Sequence, residues 1–266
     1  KSSNDQWAYS KALQRLAPKI AKMDSSQVFI SCMDADTLFH PQYFSALSYQ
    51  GLCLPREERV WTIWQPPVMM TRNLFSSPMP TRVTAYATVV FELGGLAGQR
   101  VARHFAYSSY SFTLALSMHH RVGGWDRDVI AEDWHMFVKC YFASIWEQLE
   151  ALEGPGTSVS CQERSAERSV KSRYQIQPVY LPAINFLVES DEGWWASVHA
   201  RFVQARRHSQ GLAELSYLLV QYWLLLTSKL ASRIAWSEHF RILAMAMKMC
   251  DIHVTHHFQA LALLMT

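Results

Sequence analysis

The chain has 266 residues, half of them hydrophobic and 18% charged, which is enough to bury a full core as one large or two small units. A formal net charge of +3 is too small to argue for nucleic acid as a partner. The five scattered cysteines, odd in number and never in Cys-x-x-Cys spacing, suggest neither a disulfide framework nor a zinc site, so reduced, cytosol-facing chemistry is expected.

Residues 4–22 space apolar side chains at helical intervals, with Trp7, Leu13, Leu16 and Ile20 on one side, and predict a helix. Residues 27–33 read as a short apolar strand of the kind that parallel sheets bury on both faces. Pro41 opens the next helix and Gly51 closes it. The run 60–70 reads as a strand that stops at Pro66 and Pro67, and residues 82–105 as a helix with a glycine-loosened middle. A strand or loop follows at 107–117, then a turn at 122–126, "VGGWD". The clearest helix begins near Asp133, spaces Phe137, Tyr141, Ile145, Leu149 and Leu152 by three and four, and ends at Gly154. Residues 154–173 are almost devoid of apolar side chains and predict an exposed loop, after which 175–189 resumes strand character.

The last third differs. "LSYLLVQYWLLLT", residues 215–227, is strongly apolar but shorter than the ~20 residues a bilayer span needs, which suits a helix lying on a membrane surface or packed on the domain. The closing "FQALALLMT" has the look of the beginning of a span. Ten Trp, eleven Tyr, thirteen Phe and eleven Met fit a membrane-interface surface and a large aromatic core equally well. The expected division is a catalytic unit over residues 1–212 and interfacial or membrane-proximal helices over 213–266. Because the chain opens on Lys1 without a leader-like stretch, it is expected to be a piece of a longer protein.

Three groups carry chemistry. The strand at 27–33 runs into Asp34-Ala35-Asp36, placing two carboxylates at the carboxyl edge of a sheet, where open α/β folds bind ligands. Side chains alternate along extended chain, so two acids separated by one residue face one crevice and offer hard oxygen ligands for Mg²⁺ or Mn²⁺. Glu132 and Asp133 precede the clearest helix, where an Asp serves either as an N-cap or as a general base. Gln204 and the Arg206-Arg207 pair adjoin an apolar helix, as solvated cations or as a fork gripping a diphosphate. His253 and His257, four apart without a third ligand at helical spacing, read as two surface histidines, and Trp194-Trp195 as packing.

Asp34-x-Asp36, then Glu132-Asp133, then Gln204-x-x-Arg207 followed by His208, in that order, resemble the D-x-D, E-D and Q-x-x-R-W motifs of the inverting, membrane-associated family 2 glycosyltransferases. The opening "KSSNDQWAYSKAL" and the approach "VGGWDRDVIAED" are similar to segments of those enzymes, so the resemblance covers about residues 1–230. It implies a GT-A-type mixed sheet flanked by helices, in a membrane-associated enzyme whose catalytic part faces the cytoplasm. It implies transfer of a sugar from a nucleotide sugar, most simply a UDP-sugar, to a glycan or lipid hydroxyl. Asp36, assisted by Asp34, would hold the divalent metal; Asp133, with Glu132 beside it, would be the base; and Gln204, Arg207, His208 and Trp125 would line the diphosphate and acceptor. His208 stands where the family has tryptophan, and the part of the nucleotide-binding half that carries the base-contacting acids is expected upstream of Lys1. Two other readings compete: a catalytically inactive, membrane-docked partner of an active synthase, and a haloacid-dehalogenase-type phosphatase, whose pattern places a threonine later than Thr37.

Overall fold

The computed structural model describes residues 2–98, 103, 108–153, 169–210 and 213–264. Its architecture is α/β, with two mixed sheets and helices around them. In chain order the elements are α1 (Ser2–Ile20), β1 (Phe29–Cys32), β2 (Leu38–Phe39), α2 (Tyr43–Cys53), α3 (Arg56–Val60), β3 (Thr62–Gln65), β4 (Val68–Met70) and α4 (Met79–Ala97). There follow β5 (Tyr110–Thr113), α5 (Leu114–Met118), α6 (Glu132–Glu153), β6 (Gln175–Pro178), β7 (Ala183–Asn185), α7 (Trp194–Ser209), α8 (Ala213–Thr227) and α9 (Trp236–Leu264).

The larger sheet has the order β1-β5-β3-β6, with β5 antiparallel to both neighbours and β3 parallel to β6. Consequently β1, β3 and β6 all end on the same edge. The smaller sheet, β2-β7-β4, is mixed in the same way. The apolar run at 60–70 is two strands, one in each sheet, because prolines 66 and 67 carry no N–H for a ladder. The chain at 175–185 breaks beside it: Gln65 pairs with Pro178, and pairing resumes at Val68 with Ala183. Across the gap Val179 donates to the Gln65 carbonyl and Ala183 to that of Pro67.

β1 corrects the reading of a strand buried on both faces. It is an edge strand, antiparallel to β5, and only Cys32 within it is buried. α1 forms as its periodicity predicts, yet Trp7 and Leu16 on its apolar side stand exposed. The helix docks by its amino-terminal turns on the glycine turn at 122–126. Gln6 Oε1 accepts the Trp125 N–H at 2.7 Å, and the Ser2 hydroxyl donates to the Asp126 carbonyl. Gly124, at φ +82°, permits this approach, since a Cβ there would lie 2.5 Å from Gln6 Oε1.

α6 carries the centre of the core, with Phe137, Tyr141, Ile145 and Leu149 all buried as their spacing predicts. Leu218 and Leu225 of α8 and Ile242, Met245 and Met249 of α9 join that same core. The outer faces of these two helices present Leu219, Val220, Trp223, Trp236, Phe240 and Met247. Among the described residues no helix is long and apolar enough to cross a membrane. His253 is buried against Trp134, their rings 6.0 Å apart, which corrects its reading as a surface histidine. Most of the loop predicted at 154–173 and the end of the helix predicted at 82–105 lie outside the described residues; within them α4 continues through Gly94 and Gly95 to Ala97.

Candidate functional site

Asp34 and Asp36 lie in the bend that follows β1, at the edge where β1, β3 and β6 end. The bend closes through Thr37 N–H on the Asp34 carbonyl, 3.0 Å. Elements of the smaller sheet hold it: Arg72 donates to the Asp36 carbonyl at 3.0 Å, its guanidinium stacks 4.1 Å from the Phe186 ring, and the Phe186 N–H reaches Asp36 Oδ2 at 3.4 Å. Asp34 is half-buried and Asp36 exposed, so the second acid faces solvent with one long contact on its carboxylate.

Asp133 sits within the first turn of α6, but not at its cap. The helix starts at Glu132, and the Ala131 carbonyl accepts the His135 N–H, so the residue before the helix is an alanine. Asp133 Oδ1 instead accepts the Trp134 N–H at 2.8 Å, satisfying one of the free donors of the first turn, where a negative charge is favoured. Asp133 is half-buried, while Glu132 beside it is buried.

The acids from these two regions both bear electrostatically on a residue that the sequence pattern did not single out. Glu92, 3% exposed in the middle of α4, takes a hydrogen bond from the Val68 backbone, and its Oε2 has no hydrogen-bond partner among the described residues. Burial drives its carboxyl well above the ordinary carboxylate range, and the charges of Asp133 and then Asp34 push it further in that direction. Tyr110, at the start of β5, is raised in the same way, by burial and then by Cys32, with Asp133 and Glu132 adding to it. Asp34 and Asp133, from a bend and from a later helix start, thus both act electrostatically on Glu92 of α4. The signal for Glu92 was available: Ala85, Val89 and Leu96 lie on its face of α4 and are buried, so a lone acid among them had to be buried too.

The remaining candidates fall elsewhere. Gln204 is half-buried in α7, and its Oε1 accepts from Nη1 of Arg201, a buried guanidinium that also donates from Nε to the Thr84 hydroxyl at 3.0 Å. Arg207 is exposed and His208 half-buried in the last turn of that helix. Trp125, expected to line the diphosphate and acceptor, is a core residue. Its ring is 5% exposed, stands edge-on to Tyr9, and spends its N–H on the Tyr110 hydroxyl at 2.8 Å. Trp194 and Trp195 are exposed, at right angles to each other.

Among the described residues no group of three or more His, Cys, Asp or Glu side chains has the arrangement to hold a metal ion. Asp34 and Asp36 supply two hard oxygen donors, a set that Mg²⁺ accepts when substrate phosphates and water complete its shell. No family model matches the chain, and neither does any curated protein or solved structure.

Proposed function

We propose that the chain is the catalytic part of an inverting, metal-dependent glycosyltransferase that moves a sugar from a nucleoside-diphosphate sugar, a UDP-sugar in the simplest case, to a hydroxyl of a glycan or lipid acceptor. The observation that supports it most is the Asp34-Ala35-Asp36 bend at the edge where β1, β3 and β6 end, with Asp133 and Asp34 both near enough to act electrostatically on buried Glu92. Asp133, partly open and anchored by the Trp134 N–H, takes the acceptor hydroxyl's proton while that oxygen bonds to the anomeric carbon. The bond from that carbon to the diphosphate oxygen breaks on the opposite face, and the nucleoside diphosphate leaves with the electron pair. A Mg²⁺ or Mn²⁺ ion held by Asp36 and Asp34 would offset charge on that leaving group. The apolar outer faces of α8 and α9 support membrane attachment, and a catalytic face turned to the cytoplasm is part of the same proposal.

A second reading, a non-catalytic membrane-docked partner of an active synthase, draws on α7, where Gln204 is engaged by Arg201 and a histidine stands in the tryptophan place. One experiment separates the two. Release of nucleoside diphosphate from a panel of nucleotide sugars, with Mn²⁺ or Mg²⁺ and plausible acceptors, is measured on the full protein in membranes beside Asp133→Asn and Asp36→Ala. Transfer from one donor that falls at least a hundredfold in each variant supports the enzyme. A folded wild type that turns over no donor favours the partner.

A further inference from the structure

Two residues past Asp133, His135 is bonded on both sides. Its Nδ1 lies 2.5 Å from Glu214 Oε2 in α8, and its Nε2 lies 2.7 Å from Asp126 Oδ2 in the glycine turn. The same Asp126 oxygen accepts from Lys139 Nζ at 2.9 Å, and Lys139 also reaches the Gly124 carbonyl at 2.7 Å. His135, Lys139 and Glu214 are all buried. The Tyr217 ring, one turn beyond Glu214 in α8, lies 4.4 Å from the imidazole. Thus the charged and titratable groups facing His135 are Asp126 from the turn, Lys139 from α6, and Glu214 and Tyr217 from α8.

Proton counting restricts this cluster. A neutral imidazole has one N–H and satisfies one carboxylate, leaving its other nitrogen lone pair against a carboxylate oxygen. Two contacts this short require a second proton, and imidazolium plus ammonium then balance two carboxylates. The cluster spans three segments: the turn that receives α1, the start of α6, and α8. We propose, resting on the role given to Asp133, that His135 is a positioning residue: bonded on both sides as an imidazolium, it clamps the start of α6, and Asp133 with it, between the glycine turn and α8, and the clamp loosens when that proton leaves.

The electrostatics agree in direction. Burial disfavours the charged ring, but the bonds to Asp126 and Glu214 outweigh it and raise the pKa of His135. Asp126 is held down to about 2, chiefly by its bond from His135. A histidine raised above its unfolded value of about 6.5 contributes stability fully present below that pH and lost as pH rises through the folded value.

The test follows unfolding against pH from 5.5 to 9 for the full protein, His135→Gln and Glu214→Gln, with kcat and KM of any active donor measured over the same range. Glu214→Gln is informative because its amide donates to a neutral ring, closing the clamp without the extra proton. Wild type should lose stability above pH 6.5, and Glu214→Gln should flatten that decline. The alkaline limb of kcat should then move up by on the order of one pH unit, with KM unchanged. His135→Gln should abolish the slope. Parallel stability curves for wild type and Glu214→Gln overturn the clamp, whatever the transfer assay gives. A flattened curve in protein that turns over no donor upholds the clamp and removes the base role of Asp133.

Discussion

Gly51→Ala tests how tightly β1, and so the bend that bears Asp34 and Asp36, is seated on α2. Gly51 is buried in the last turns of α2, and a Cβ there would stand 2.3 Å from Phe29 Cζ and 2.9 Å from Cε1, inside any tolerable contact. Two effects oppose each other. Alanine in place of glycine favours the helix by about 1 kcal/mol. Displacing the Phe29 ring costs about 1–3 kcal/mol of overpacking, and a further ~0.5–1.5 kcal/mol as its edge-on contact with Trp64, at 5.2 Å between centroids, is lost. The steric side wins, with a net destabilisation of about 1–3 kcal/mol. Denaturant unfolding of wild type, Gly51→Ala, Phe29→Leu and the double variant measures it, and the double variant should be more stable than the sum of the singles predicts. A Gly51→Ala protein more stable than wild type by about 1 kcal/mol would show the helix term unopposed and the contact with Phe29 absent.

Two further substitutions probe buried charge. Burial alone brings the Arg201 guanidinium from 12.5 to about 10, and its Nη2 has no hydrogen-bond partner among the described residues. Arg201→Met removes an uncompensated cation while giving up two hydrogen bonds, so unfolding should show stability within about 2 kcal/mol of wild type or above it. A loss beyond about 3 kcal/mol, the signature of a broken buried ion pair, would refute this. Glu92→Gln replaces the acid that burial, Asp133 and Asp34 raise well above its ordinary value. A raised carboxyl contributes stability present below its unfolded pKa of about 4.3 and lost as pH climbs through the folded value. The advantage of Glu92→Gln over wild type in thermal unfolding should therefore grow from pH 5 upward, and a pH-independent difference would sink the assignment.

The sequence disclosed those parts of the molecule whose patterns have one physical reading. α6 was legible because five apolar residues at helical spacing, followed by glycine, admit nothing else, and the Asp34–Asp36 bend because an apolar strand ending in acids must surface. α1 misled: its apolar stripe at Trp7 and Leu16 is real, but periodicity does not say what covers a face, and the contacts come from Ser2, Gln6 and Tyr9. Trp125 enters the diphosphate and acceptor lining only through the resemblance, whereas the positive φ of the neighbouring glycines folds the turn back under α1. Glu92, His135 and Glu214 escaped for a shared reason. Each is polar on an otherwise buried helix face, and their value lies in partners far along the chain that local pattern cannot name.

The paired breaks of the two strand routes bear on how the molecule assembles. Between the ladders the first route crosses two residues and the second four, so the two pairings lie close together along both routes. Once Ile63 finds Ile176, the partners of Val68 and Met70 are within reach, and a single long closure seeds parallel pairing in both sheets. Such distant pairing is intrinsically slow. Refolding of this chain should then be limited by the meeting of these two routes.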